Sequence, residues 1–240
     1  MSPYLANAPI FFIAGLMQGA TGFGSVLVAL PLVTLLLDVK QAVPLTTLNA
    51  FVITVALGYS LRRVFDRDKV LPLVVGCLPG SLLGVYLLKS VDSKAILFGL
   101  GVLLLCFAVW GLFFRQAPRG LSTRWGYLSG FLTGAIGAAA SAGGPPTLIY
   151  MALTGWSKDT VRATLSWFFL FTGTVTVLAH ALSGVTTSHV LGLFAASAPC
   201  SFVGVLAGMR LARRLTEHGY RTAMFVLIAC LGSMLLARVM

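Results

Sequence analysis

Two glycine-rich stretches hold the residues whose types and spacing best suit the binding of a small anion. Glycine leaves the backbone bare, and the N–H groups at a helix start lack intrahelical partners at the positive end of the helix dipole. Such a start binds an anion without any formal charge. The candidate binding residues are these glycines and small neutral polar side chains: Gln18, Thr21, Gly22, Gly24, Ser25, Asn49, Ser141, Gly143, Gly144 and Thr164. We expect no catalytic residue, metal site or cofactor.

The second stretch has the order expected of a helix that starts inside the protein. Ser141 is the predicted cap, and Gly143-Gly144 provide bare backbone. Pro145-Pro146 fall in the predicted first turn, where a missing N–H group costs little. In the first stretch, Gly22-Phe23-Gly24-Ser25 follows the same order less clearly, and Pro31 marks either a kink or the true helix start.

The composition is that of a membrane protein. Hydrophobic residues make up 58% of the 240 residues and charged residues 10%, with a mean hydropathy of +0.96. This predicts an all-α polytopic membrane protein and excludes a soluble enzyme, a disulfide-stapled secreted domain and a disordered chain. The net charge of +11 fits loop orientation better than nucleic-acid binding, because most of the chain is predicted to lie in lipid.

Eight apolar runs define the predicted membrane segments. Six have the length of a single crossing: 42–61, 70–88, 95–114, 160–182, 190–209 and 222–240. Runs 8–37 and 125–156 are too long, because a straight helix of that length measures about 45 Å against a hydrocarbon core of about 30 Å. Glycines interrupt both long runs, so each is either a kinked helix or a hairpin of two half-helices.

The distribution of Lys and Arg favours the hairpins. If every run crosses once, the 17 basic residues divide 8 to 9 between the two faces of the membrane. If both long runs return to their starting side, the division is 13 to 4, with the smaller group being Lys40, Lys89, Lys94 and Arg238. Basic residues accumulate on the cytoplasmic side, so we predict that both termini are extracytoplasmic.

The two parts of the chain look like copies of each other. Gly19 and Pro31 match Gly134 and Pro146 at an offset of 115 residues, and Pro79 and Gly84 match Pro199 and Gly204 at an offset of 120. The pattern predicts two inverted repeats of four to five membrane segments, residues 1–117 and 118–240. Each repeat opens with a broken or re-entrant glycine-rich helix pair.

Each candidate residue also has a purely structural interpretation. The glycines suit tight helix packing, Gln18 and Asn49 suit hydrogen bonding between helices, and single hydroxyls usually bond their own helix. His180 and His189 flank a predicted exterior turn and are expected at the membrane interface. The rival functional class is an intramembrane hydrolase with Ser141 as nucleophile and His180 as base. It is disfavoured because His180 lies near the end of its apolar run.

Glycines and prolines follow a fixed order along nearly the whole chain. The motifs are Gly15-x3-Gly19-x2-Gly22-x-Gly24 with Pro31, Gly130-x3-Gly134-x2-Gly137 leading into Gly143-Gly144-Pro145, the Ala163-Thr164 pair, and Pro-x4-Gly at Pro79 and Pro199. This order resembles that of the sulfite exporter (TauE/SafE) family of membrane permeases. The chain departs from the family pattern of consecutive glycines, because Gly22 and Gly24 are separated and Ser141 interrupts the second run.

The resemblance implies a secondary transporter, not an enzyme, that exports sulfite or an organosulfonate such as sulfoacetate across the inner membrane while its two halves rock about the anion. Away from their ends the apolar runs hold no acidic or basic residue. Export needs none, because the membrane potential favours anion exit by about 2.3 kcal/mol per charge per 100 mV. The alternative functions are an anion channel and an uptake permease. The expected partners are a small anionic substrate and the lipid bilayer, without nucleic acid, and both a monomer and a homo-oligomer stay open.

Overall fold

The computed structural model describes residues 3–60, 66–113, 120–211 and 217–239, and within them the regular structure is entirely α-helical. Ten helices follow in order: α1 Pro3–Thr21, α2 Ser25–Val33, α3 Val39–Ser60, α4 Arg67–Ser90, α5 Ser93–Phe113, α6 Trp125–Ala140, α7 Gly144–Thr154, α8 Lys158–Leu182, α9 Ser188–Leu211 and α10 Glu217–Val239. Six basic residues in the charge count lie outside the described residues: Arg62, Arg63, Arg115, Arg119, Arg213 and Arg214.

Five of these helices are long and apolar enough to cross a bilayer. They contain the stretches Val39–Gly58, Arg67–Ser90, Ser93–Phe113, Ala163–Leu182 and Ser188–Leu211. Within α10, the stretch Met224–Val239 is apolar but shorter. The prediction of an all-α chain with several membrane segments is confirmed, because unbroken helices are what lipid imposes on a spanning backbone.

Both long apolar runs are divided into two helices by residues with positive φ. Gly22 and Gly24 have φ values of 87° and 99°, and Ser141 has φ 52°. The left-handed conformation cannot continue a right-handed helix, so α1 and α6 end at these points. Pro31 lies well inside α2, so the alternative that it marks the helix start is wrong.

After each break the chain turns back along the helix it has just left. Thr133 in α6 and Thr147 in α7 meet through their hydroxyl groups at 2.6 Å. At the far end of the pair, the Leu121 N–H group donates to the Leu153 carbonyl at 3.3 Å. These two contacts are incompatible with a straight α6–α7 helix, in which residues 121 and 153 would be separated by tens of ångströms.

Two helix pairs, α1 with α9 and α4 with α6, are packed backbone to backbone through glycine. A methyl group on Gly19 would overlap the Val205 carbonyl, and one on Gly134 would overlap the Cys77 carbonyl. Such close approach is the usual basis of helix association in lipid, where no hydrophobic force acts between helices. Both pairs join a helix before residue 117 to one after it, so the two predicted repeats are interleaved.

Helices α1 and α3 both run parallel to α9. Along α1, Gly15 lies against Ser201 and Gly19 against Val205. Along α3, Asn49 accepts a 2.6 Å hydrogen bond from Ser201, and residues 53–57 pack against Val205. Because α1 and α3 run in the same direction, the α1–α2 segment ends on the side of the bundle where it began.

We predict that Gly80→Ala lowers the stability of the protein. The new methyl group would overlap the Phe131 carbonyl, and overpacking of this kind costs about 1–3 kcal/mol. Gly99→Ala is the matched control, because Gly99 lies on α5 with open space at its Cβ position and gains up to about 1 kcal/mol of helix propensity. Thermal unfolding in detergent, followed by circular dichroism, would contradict the packing account if G80A were as stable as G99A.

Candidate functional site

A cavity of about 100 Å³ lies between the two helix breaks. Its walls come from both breaks and from one face each of α3 and α8: Gln18, Phe23, Gly24, Ser25, Val26, Leu27, Thr47, Ala50, Phe51, Thr54, Thr133, Gly137, Ser141, Ala142, Gly143, Gly144, Phe169, Thr172, Gly173 and Thr176. A water molecule occupies about 30 Å³ of liquid, so the space suits one small solute or a few waters.

The starts of α2 and α7 both face this cavity. The residue before each start is a glycine, Gly24 or Gly143, and neither start has a side-chain cap. The first N–H groups of each helix therefore have no side-chain acceptor and can donate hydrogen bonds to a solute or water in the cavity. The two starts are not equal, because Pro145-Pro146 remove two N–H donors from α7, whereas Ser25, Val26 and Leu27 all carry one.

Hydroxyl and amide groups join the elements around the cavity. Ser25 donates to Gln18 Oε1, and Gln18 Nε2 donates to Thr54 Oγ1 at 3.4 Å, which links α2, α1 and α3. On the opposite wall, the Ser141 hydroxyl forms hydrogen bonds with the Thr47 hydroxyl and the Val43 carbonyl. The polar wall is thus held in place by contacts within the protein while keeping hydroxyl lone pairs and N–H groups near the cavity.

Ser141 does not have its predicted role as the cap of α7. It is the left-handed residue that ends α6, and Gly143 precedes α7 instead. Its side chain bonds to α3, through Val43 and Thr47, rather than to the first N–H groups of α7. The prediction of prolines in the first turn of α7 is confirmed.

Six of the ten candidate residues line the cavity: Gln18, Gly24, Ser25, Ser141, Gly143 and Gly144. Four do not. Thr21 closes the end of α1 by donating to the Met17 carbonyl at 2.8 Å, and Gly22 provides the adjacent left-handed turn. Asn49 is fully buried and joins α3 to α9 through Ser197 and Ser201, which matches the interpretation as a link between helices. Thr164 is buried in α8, about two turns before Thr172.

His180 was expected at the interface but is buried, with 1% of its surface exposed. Its Nε2 atom lies 2.9 Å from the Ala138 carbonyl, near the end of α6. The expectation fails because α6 stops at Ala140 and leaves its last carbonyls without intrahelical partners, which a ring N–H group satisfies. His189 is exposed at the start of α9.

The sequence reasoning missed most of the contribution of α3 and α8. Thr47 and Thr54 share one face of α3, and Thr172 and Thr176 share one face of α8, at spacings of seven and four residues. Those spacings are a usable signal, because residues three, four and seven apart lie on the same side of a helix. Phe169 of α8 also lines the cavity.

No lining residue carries a formal charge, so the described cavity has only dipoles to offer an ion. The described ion pair lies elsewhere, between Lys69 Nζ and Asp66 Oδ2 at 2.5 Å at the start of α4. The hydrogen bond from Lys69 holds the pKa of Asp66 below its usual value. Lys69 also lies 5.4 Å from the centre of the Trp156 ring, which ties α4 to the segment after α7.

Comparison with known proteins identifies the family of this chain. The family model described as "Sulfite exporter TauE/SafE" matches residues 8–235. The chain belongs to this family. It is also 26% identical over 180 residues to a protein of Comamonas testosteroni described as "Probable inner membrane transporter protein TsaS", covering 73% of this chain and 74% of that protein. No solved structure matches the chain.

The TauE/SafE chain is therefore a multi-pass membrane transporter. Membership of a transporter family is consistent with the expectation that it is not an enzyme. The Ser141–His180 pair of the disfavoured hydrolase alternative is not assembled among the described residues, because the Ser141 hydroxyl bonds to α3 and His180 Nε2 bonds to the Ala138 carbonyl.

We predict that Ser141→Gly is more stable than Ser141→Ala by about 1 kcal/mol, because the left-handed conformation disfavours a Cβ atom by roughly that amount. Both variants lose the hydrogen bonds to Val43 and Thr47, so both should be less stable than the parent protein. Thermal unfolding in detergent measures the order. An S141A protein more stable than S141G would show that residue 141 is not held at positive φ.

Proposed function

We propose that this transporter exports a small sulfur-containing oxyanion, sulfite or an organosulfonate such as sulfoacetate, across the inner membrane. The observation that carries the proposal is that two helix starts without side-chain caps, at Ser25 and Gly144, line one cavity. Oxygen atoms of the anion would accept hydrogen bonds from their N–H groups, at the positive ends of both helix dipoles. The family description supports sulfite as the substrate, and the description of the relative in Comamonas testosteroni supports transport across an inner membrane.

The arrangement around the site supports inverted repeats with re-entrant segments. In this proposal α1, α3, α5 and α9 run from the exterior to the cytoplasm, and α4, α6, α8 and α10 run in the opposite direction. Helices α2 and α7 then enter from opposite faces and start near the middle of the membrane. The parallel packing of α1 and α3 with α9, and the return of α7 along α6, both fit this topology. In the proposed topology, both termini lie outside the cytoplasm.

The chemistry of the cavity suits a tetrahedral or pyramidal oxyanion. Threonine and serine hydroxyls can donate to several oxygen atoms, and a neutral wall avoids the cost of burying a fixed cation when the site is empty. The rings of Phe23, Phe51 and Phe169 provide an apolar side, which suits the organic part of a sulfonate.

The membrane potential supplies the driving force in this proposal. Moving one negative charge out of a negative cell interior is favourable by about 2.3 kcal/mol per 100 mV, and the cavity lining has no carboxylate for coupling to cations. In this proposal the moving units are the helix pairs in backbone contact through glycine, α1 with α9 and α4 with α6. They are not the two sequence halves, because each pair joins one helix from each half.

The function is tested with purified protein in liposomes loaded with radiolabelled sulfite or sulfoacetate. We expect saturable efflux that an interior-negative potential accelerates. Ohmic current in a planar bilayer without saturation would favour the anion channel. Net uptake against an interior-negative potential would favour the uptake permease. An absence of movement of both anions would reject the proposal.

We predict that Thr172→Val lowers the initial rate of anion transport about 10-fold, because in this proposal the hydroxyl turns from the Phe168 carbonyl to donate to the bound anion, and loss of that contact costs about 1.4 kcal/mol. Thr174→Val is a closely matched control. Both hydroxyls bond the carbonyl four residues earlier at 2.8 Å, but Thr172 lines the cavity and Thr174 is exposed. Initial rates of sulfite and sulfoacetate efflux, normalised to reconstituted protein, give the ratio. Equal rates for T172V and T174V would remove the α8 face from the binding site.

A further inference from the structure

His180 is a buried titratable group that the proposed transport cycle does not yet use. Its Nε2 atom lies 2.9 Å from the Ala138 carbonyl. A carbonyl only accepts, so Nε2 carries the ring proton in the neutral imidazole and Nδ1 presents a lone pair. Nδ1 is buried and has no hydrogen-bond partner within the described part of the chain. It is therefore a vacant proton acceptor.

The imidazole belongs to a residue about one helical turn beyond the residues that line the cavity. On α8, His180 follows Thr176 by four residues, one helical turn, and Thr176 lines the cavity. On α6, its partner Ala138 is the neighbour of Gly137, which also lines the cavity. A positive charge on this ring would attract an anion in the cavity, because electrostatic interactions are stronger in the packed interior of the bundle than in water.

The elements packed on this end of α8 bring no acidic group to the ring among the described residues. Helix α6 contains no acidic or basic residue. From α4, Lys89 Nζ donates to the Ser183 carbonyl at 3.1 Å, and from α3, Lys40 Nζ donates to the Lys89 carbonyl at 3.4 Å. Asp38 accepts from the Lys40 N–H group and from Ser93. Within the described part of the chain, Lys40, Lys89 and Asp38 bond to backbone groups or to Ser93 at this end of the bundle, and none of them bonds to the His180 ring.

A buried cation without a counter-charge is costly, so the empty site favours the neutral imidazole. An anion in the cavity supplies the missing counter-charge. The two ligands must then bind cooperatively, because each lowers the free-energy cost of the other by the same amount.

We propose that His180 takes up one proton at Nδ1 when a dianion occupies the cavity and releases it when the anion leaves. The proton comes from a hydronium ion on the side to which the site is open: a new Nδ1–H bond forms as an O–H bond of the hydronium ion breaks, and water is left. This inference rests on the proposed function. It is compatible with export driven by the potential, because a dianion with one proton still carries one net negative charge.

The test measures protons bound along with the anion. Purified protein in detergent, weakly buffered near pH 7 with a pH-sensitive dye, is mixed with sulfoacetate, whose acidic groups stay ionised there. The unmodified protein should take up about one proton per bound anion, and its affinity should rise up to about 10-fold per unit of falling pH. His180→Gln, which keeps a donor for the Ala138 carbonyl, should bind without proton uptake and with a flat pH profile. His189→Gln, at an exposed position, should behave like the unmodified protein.

The results distinguish failure of the His180 inference from failure of the proposed transport function. Anion binding without proton uptake in the unmodified protein would overturn the role of His180 and leave the proposed function intact. Unchanged proton uptake in H180Q would do the same. Absence of sulfoacetate and sulfite binding, together with absence of their transport, would reject the proposed function and this inference with it. If H180Q fails to fold, the number of protons that the unmodified protein takes up per bound anion still tests the inference, because an uptake of zero would overturn it.

Discussion

Backbone N–H groups must find partners inside a hydrocarbon medium, and the whole arrangement follows from how this chain meets that constraint. An unbroken helix satisfies nearly all of them, and five of the described helices are long and apolar enough to cross the bilayer in this way. The two broken segments do not, since the first N–H groups of α2 and α7 have no side-chain cap. Irregular backbone at this depth is tolerated only where protein or a polar cavity covers it. Bringing both helix starts to one cavity meets that condition, and in our proposal it gives the cavity a preference for anions.

Glycine acts in two distinct ways in this structure. At Gly22 and Gly24 it supplies positive φ and ends a helix, whereas at Gly19 and Gly134 it lets two backbones touch. The second use holds α1 to α9 and α4 to α6, the helices that lead into the two breaks lining the cavity. Site and scaffold therefore depend on the same residue type for different physical reasons, and a sequence motif of glycines reports both at once.

Much of the fold could be predicted from sequence because lipid restricts it to helices of known length, and the positions of both breaks followed from their glycines. The side of each helix that faces the cavity could not be predicted in the same way. Lipid-facing and protein-facing sides are both apolar, so Thr172 and Thr176 stand out only by their spacing. Ser141 could not be identified as a left-handed residue, because serine rarely adopts that conformation. The burial of His180 depends on where α6 ends, and its contact with that helix end belongs to the tertiary structure rather than to the local sequence.

The reversal of the chain at each break is the central claim, and accessibility of single cysteines tests it most directly. Thr123→Cys and Ser157→Cys, made without the four native cysteines, place exposed thiols on either side of the α6–α7 segment, and Ser188→Cys places one beyond α8. The account predicts that a membrane-impermeant maleimide, applied to oriented vesicles, labels positions 123 and 157 from the same face and position 188 from the other. Labelling of 123 and 157 from opposite faces would mean that α6 and α7 form one crossing, and the shared anion cavity would be contradicted with it.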